Sequence, residues 1–366
     1  MTSIASRIAA LTSRRQTFDF SGGSLPTGTT LTRASAGYRY NSSGVLVSET
    51  TDVARFDYTP VTLAARGLLV ESAGTNLLTY SEDFSNAIWS PGTSNGTITT
   101  NTTAAPDGNV TADTFTENAV GVVGHGPGRQ VTFTTLTTYA ISVYAKPNGR
   151  NWIYIYVDPV RFGGAGYTFF NVSTGAVGVT LAGATAFTTL EANGFYRCTV
   201  IATTSGATGV GNYGIGTASA DNTPTYLGDG VSGVYLWGAS VVAESARSSY
   251  IKTTTAAATR SADVALITNA NAISDQCWII RARTPRKLTA GAANTVFQVD
   301  DGGTNNRRSI YYASGVLTVL VVSAGVTQCS MNTAAVANDT DFTLAVRFAN
   351  NNFAVSLNGG AIVTDL

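Results

Sequence analysis

Few side chains here could act as acid, base or nucleophile. The one histidine is His125, in VVGHGPGR. Set between glycines it reads as a loop residue rather than a general base, and no GxSxG turn supplies a serine nucleophile. Glycoside hydrolysis needs two carboxylates facing each other across the scissile bond. The supply is Glu49, Glu71, Glu82, Glu117, Glu191, Glu244 and scattered Asp. A pair of these brought together by folding would make the chain a polysaccharide depolymerase. No internal repeat of the parallel β-helix type, common in such enzymes, is visible.

Sugar binding is better supplied. In NWIYIYVD, Trp152, Tyr154 and Tyr156 alternate with Ile153, Ile155 and Val157, so a strand puts three aromatic rings on one face and three aliphatic side chains on the other. The aliphatic face is the natural core, which leaves an aromatic stripe for a pyranose to lie on. The opposite reading, with the rings packed inward or against a subunit, stays open. Arg150, Asn151, Asp158 and Arg161 flank the stripe and would supply polar contacts. Tyr235 and Trp237 also share a face but read as core, while Trp89 and Trp278 read as core or inter-module residues.

For a metal, the best clusters are Asp300 with Asp301 in VDDGGTNN and Asp339 with Asp341 in ANDTDF, followed by Asp229 in LGDG. Carboxylates on turns suit calcium, although Asp is also an ordinary turn residue and no EF-hand spacing is present. GVGNYG, residues 209–214, matches GxGxxG; the next residues, IGTASADNTPTY, read as strand and turn, not helix, so a phosphate cradle is not expected.

The chain has 366 residues, enough for two or three domains, and its 22 Lys plus Arg balance 22 Asp plus Glu. A nucleic-acid binder with a strong basic field is not expected. Charged residues make up 12% of the chain, and Gly numbers 38 against three Lys and six Glu. Scarce Lys and Glu argue against exposed helices, and many short strands are expected instead. Three cysteines without CxxC spacing make no zinc site, while a Cys277–Cys329 bridge stays open. No signal-peptide core and no run of roughly 18 apolar residues is seen, so synthesis in a cytoplasm without membrane insertion is expected.

The chain divides into three segments. Residues 1–66 start with Ile4, Ile8 and Leu11 at helical spacing, a short helix, and go on as strands and turns; this reads as an attachment segment. Residues 67–262 hold longer alternating runs (TTYAISVYAK, NWIYIYVD, YTFFNVS, FYRCTVIATT, VSGVYLWGASVVAE) and read as a jelly-roll β-sandwich ending in a linker at 253–262. Residues 263–366 are strand-like again, a second sandwich that either is incomplete or closes with the N-terminal strands. The fold class expected is all-β.

GLLVESAGTNLLTYSEDFSNAIWS (67–90) together with VSGVYLWGASVVAESARSSYIKTTTAAATRSAD (231–263) resembles the flanks of a carbohydrate-binding-module-like jelly roll found in structural proteins of tailed bacteriophages and phage-like particles. Residues 18–60 are similar to the segment that often precedes it, and DFTLAVRFANNNFAVSLNGG (341–360) resembles part of a concanavalin or laminin-G-like sandwich. The resemblance implies a fibre, spike or decoration protein on the virion exterior, a homotrimer by analogy with fibres, contacting other virion proteins and host surface polysaccharide without catalysis. It also gives Glu71, Glu82 and Glu244, which lie in the resembling flanks, structural roles. A purely architectural decoration or adaptor protein is the alternative.

Overall fold

A computed structural model of the chain describes residues 17–90, 94–267, 276–284, 293–337 and 340–365, the side chains of 293 and 294 excepted. The expected N-terminal helix lies outside the described residues. The protein is all-β, with short antiparallel strands joined by turns; the α-helix among the described residues is the single turn Pro159–Phe162. No helix among them is long and apolar enough to cross a membrane. Two compact units are present, one spanning Phe18–Leu266 and one built on Ile267–Leu366.

The first unit is a two-sheet sandwich. One sheet has four strands in the order Gly128–Phe133, Gly209–Ala218, Trp152–Val157, Tyr167–Asn171. At the centre of the other, eight-stranded sheet, Thr138–Asn148 pairs with Tyr196–Thr203 and with Gly233–Val242. Period-2 alternation sends Ile141, Val143 and Val200 from the large sheet to meet Ile153, Ile155 and Ile215 from the small one in a single apolar core. A bulge interrupts that alternation between Ser142 and Tyr144, opposite Gly238, whose φ is +60°. Leu236 and Ala239 therefore both enter the core, while Trp237 turns to the opposite face. A Cβ on Gly238 would lie 2.8 Å from the Tyr144 ring.

On that opposite face Trp237 packs with Tyr144 and Tyr250, and with Leu46, Tyr38 and Tyr40 from the N-terminal strands. The expected boundary at 66/67 thus falls inside the first unit. The hairpins Gly37–Tyr40 with Leu46–Glu49 and Phe56–Tyr58 with Ala65–Leu68 belong to the same body as the jelly roll. The stretch expected as a linker, 253–262, belongs there too: Ala258–Arg260 is a strand on Gly74–Asn76, with Thr253 and Arg260 buried. Three residues are too few for a period to show in the sequence.

Ions fasten the N-terminal strands to the jelly roll. Arg33, Arg55 and Arg260 are each 2% exposed or less. Asp263 accepts from Arg33 Nη1 at 2.9 Å, from Arg55 Nη2, and from the Glu71 N–H at 2.9 Å. Glu71 accepts from Arg55 Nη1 and from the Ser249 N–H and Oγ, all at 2.7 Å. Burial alone would push the Glu71 carboxyl up, but the Arg260 and Arg55 guanidinium groups and the Ser249 bonds outweigh it and hold it at about 2, against an ordinary 4.5. A carboxyl depressed in the folded state contributes its stability above the unfolded pKa and loses it as pH falls through the folded one. The contribution of Glu71 is therefore complete above about pH 4.5 and gone near pH 2. A shift of that size corresponds to about 3 kcal/mol. Glu71→Gln is expected to flatten this part of the acid-unfolding curve, followed by tryptophan fluorescence.

The second unit is a small sandwich of its own. Gln276–Arg283, Asp341–Ala349, Asn352–Leu357 and Ile362–Asp365 form one four-stranded sheet, and Ala293–Asp300, Arg307–Ala313, Val316–Ser323 and Val326–Ala335 the other. Ile310, Leu317 and Val319 of one meet Leu344, Val346 and Phe348 of the other between them. Among the described residues no N-terminal strand joins either sheet. All three cysteines are free, Cys277 exposed and Cys329 buried, so the bridge left open by the sequence is not formed.

Candidate functional site

The strand Trp152–Val157 sits inside the small sheet with its aliphatic side in the core, so its three aromatic residues point out of the sandwich. Register brings further rings beside them. Tyr156 lies opposite Tyr167 and Tyr154 opposite Phe169 on one flank, while Tyr156 lies opposite Gly214 and Tyr154 opposite Gly216 on the other. Tyr154 meets Tyr167 edge-on with centroids 5.2 Å apart, and Tyr156 meets Tyr167 at 4.9 Å. Trp152, Tyr156 and Tyr167 are half-buried, whereas Tyr154 is 9% exposed and Phe169 fully buried. The result is a continuous aromatic face, part of it open to solvent. Burial first, then Tyr167 and Asp158, push the Tyr156 phenol up, so it remains a neutral hydrogen-bonding group.

Glycine makes room for this face. A Cβ on Gly216 would overlap the Tyr154 ring and come within 2.7 Å of the His125 carbonyl oxygen. The GVGNYG match lies within a strand with no helix after it, and Gly216, two residues beyond it, lets a tyrosine lie against the backbone. Gly216→Ala is expected to cost about 1–3 kcal/mol by overpacking, read as a lower melting temperature.

Three of the four polar residues expected to flank the stripe are spent on structure. Arg150 makes a bidentate pair with the buried Glu117, contacts Asp229 at 3.3 Å and lies 4.8 Å from the centre of the Tyr226 ring. Asp158 caps the Pro159–Phe162 turn through the Val160 N–H at 2.8 Å and accepts the Asn212 N–H at 3.0 Å. Arg161 donates to the carbonyl oxygens of Ala207 at 2.7 Å and Val210 at 3.1 Å. Asn151 is exposed, with no side-chain hydrogen bond among the described residues. Adjacency in sequence misleads here because a strand end turns its neighbours off the face.

The outward residues missed from the sequence are Tyr167, Gln130 and Asn212. Gln130 lies opposite Asn212, two positions from the Gly128–Gly214 pair, and both side chains are exposed. The alternation in YTFFN, GRQVTF and GVGNYG gives their parity, but which strand lies beside which is not written in any of these segments.

His125 is fully buried, with Nδ1 2.9 Å from the Asn95 carbonyl oxygen and Nε2 3.1 Å from that of Tyr226. Asp300 accepts the Gly302 N–H at 2.8 Å and Asp301 the Gly303 N–H at 3.1 Å, both as turn caps, and Asp341 pairs with Arg283 at 2.7 Å. Asp339 lies outside the described residues. Among the described residues no three His, Cys, Asp or Glu side chains converge as a metal site would require. Two open clefts, of about 460 and 560 Å³, include no residue of the aromatic face.

No protein-family model matches this chain, and no curated protein matches it. The geometry is what bears on function.

Proposed function

We propose that the chain is a non-catalytic attachment protein, a structural component on the exterior of a bacteriophage or phage-like particle that holds host-surface polysaccharide on the aromatic face of its first unit. The observation that carries this reading is that face: half-buried Trp152, Tyr156 and Tyr167 on the outer side of a sheet whose inner side is already filled. Rings held at fixed spacing offer apolar surface to a sugar at little entropic cost, and solvent-facing aromatic clusters of this kind mark binding surfaces. The absence of catalysis in this reading is supported by the engagement of the six glutamates. Glu49 pairs with Arg39, Glu71 with Arg55, Glu82 with Lys252 and Glu117 with Arg150, Glu244 accepts from Ser248, and Glu191 lies near enough to the Tyr40 phenol to help push it up. One shallow face binds weakly; several copies on a particle, in a homotrimer anchored to other virion proteins, would gain roughly 100- to 10,000-fold through effective concentration.

Labelled protein is expected to bind host cells, and added polysaccharide extracted from the same cells is expected to displace it. Binding that extracted polysaccharide leaves untouched counts against this reading. The burial of Tyr154 and the internal use of Arg150, Asp158 and Arg161 favour a second one, an architectural decoration or adaptor protein that binds no glycan. On that reading no cell binding is seen.

A further inference from the structure

We infer that the aromatic face takes an uncharged pyranose polymer rather than an acidic one, held in a trough floored by Gly128 and Gly214, walled by Tyr156, and read by the amides of Gln130 and Asn212. This deepens the attachment reading and rests on it.

Two independent features point there. The first is charge. Among the four strands of the small sheet the only Asp, Glu, Lys or Arg is Arg129. It points inward, donating to the Thr79 carbonyl oxygen at 2.7 Å and lying 5.2 Å from the centre of the Trp89 ring. The outward side of these strands is therefore amide, hydroxyl, ring and bare backbone. Next to it stands an anion, the Asp158 carboxylate that accepts the Asn212 N–H. An acidic polymer would find no cation on the strands, and at their margin Arg161 is offset by the Asp158 carboxylate, so no net positive field draws it.

The second feature is a glycine the fold does not need. Gly216 is forced by the Tyr154 ring, but a Cβ on Gly214 would meet nothing closer than the Pro127 carbonyl oxygen at 3.7 Å, an ordinary contact. Its φ is not positive either. Glycine weakens a strand interior, and where neither packing nor dihedral requires it, it marks close approach of something else to the backbone. Gly214 lies between Gly128 on one strand and Tyr156 on the other, so a strip of bare main chain runs beside Tyr156, with Tyr167 on its far flank. Asn212 is the diagonal neighbour of Tyr156, about 7–8 Å away, and Gln130 stands next to Asn212. A sugar ring set against Tyr156 would lie over the glycine strip with its hydroxyl edge toward both amides. Neither amide has a side-chain hydrogen bond among the described residues.

The test immobilises dextran, mannan and galactan beside alginate, hyaluronate and polysialate and measures binding of the full chain, its Gly214→Val variant and its Gln130→Ala/Asn212→Ala variant. Retention on a neutral polymer is expected, changing less than about twofold between about 0.1 and 1 M salt, over which the Debye length falls from about 10 to 3 Å. Gly214→Val should reduce that binding at least about tenfold by filling the trough, with an unchanged melting temperature because a β-branched residue suits an open strand position. The amide variant should lose about tenfold through two hydrogen bonds. Binding confined to the acidic polymers and abolished by salt, or neutral binding indifferent to Gly214→Val, overturns this inference and leaves the attachment reading standing. Retention on none of the polymers overturns this inference, while the attachment reading falls only if host cells and their extracted polysaccharide are not bound either.

Discussion

Asp263→Ala should destabilise the first unit by about 3–5 kcal/mol, the cost of breaking a buried charge network by removing one partner. The carboxylate is 7% exposed as a residue and fully buried as a side chain, and it is shared by Arg33, Arg55 and the Glu71 backbone. Without it Arg33 stays buried with no carboxylate partner. Glu71 then carries the burden alone, 2.7 Å from Arg55 and 3.5 Å from Arg260. The fall in melting temperature should be roughly 10 °C for a unit of this size. The magnitude comes from burial and not from the mere presence of an ion pair. Asp341, 75% exposed at its side chain and paired with Arg283, provides the contrast. Asp341→Ala should shift stability by less than about 1 kcal/mol. Calorimetry of the two variants side by side decides the point, and equal shifts would show that the clamp is not what fastens the N-terminal strands.

The largest effect on binding is expected from Trp152→Ala/Tyr156→Ala/Tyr167→Ala. These are the half-buried rings, so they offer surface without filling the core. Truncating anchors of this kind at a binding surface costs about 2 kcal/mol or more, a loss of roughly 30-fold in affinity. Tyr154 is left in place deliberately. At 9% exposure, lying against Gly216, it supports the sheet, and its removal would mix a folding defect with a binding one. Titration of host polysaccharide into both proteins, with melting curves as a control, measures the difference. Undiminished affinity in the variant would move any binding site off this face.

Alternation in NWIYIYVD is enough to put the rings on one face and Ile153 and Ile155 on the other, because a strand has two faces, but it leaves open which face is core, and the packing of Ile153 and Ile155 between the sheets decides that. The strand runs of the second unit are legible for the same reason, from CWIIRAR to FAVSLNGG. Everything that depends on which strands meet is not. Gly214 becomes part of a trough only because it pairs with Tyr156 and with Gly128. The clamp joins Arg33 to a carboxylate 230 residues away, and no local pattern announces it. A change in run length suggests a segment boundary at 66/67, but domain membership depends on buried contacts, and Leu46, Tyr38 and Tyr40 make theirs with Trp237 and Tyr250. Arg150, Asp158 and Arg161 look free because they stand next to the stripe in sequence. Folding gives each of them an ion pair, a turn to cap or a carbonyl oxygen to hold.

The most direct test of the attachment reading is to sediment bead-bound protein with host polysaccharide and to measure both the polymer carried down and its chain length. The expected result is polymer carried down by the wild-type protein at unchanged length, and left in solution by the Trp152, Tyr156 and Tyr167 alanine variant. Polymer that is shortened, or carried down equally by the variant, would contradict it.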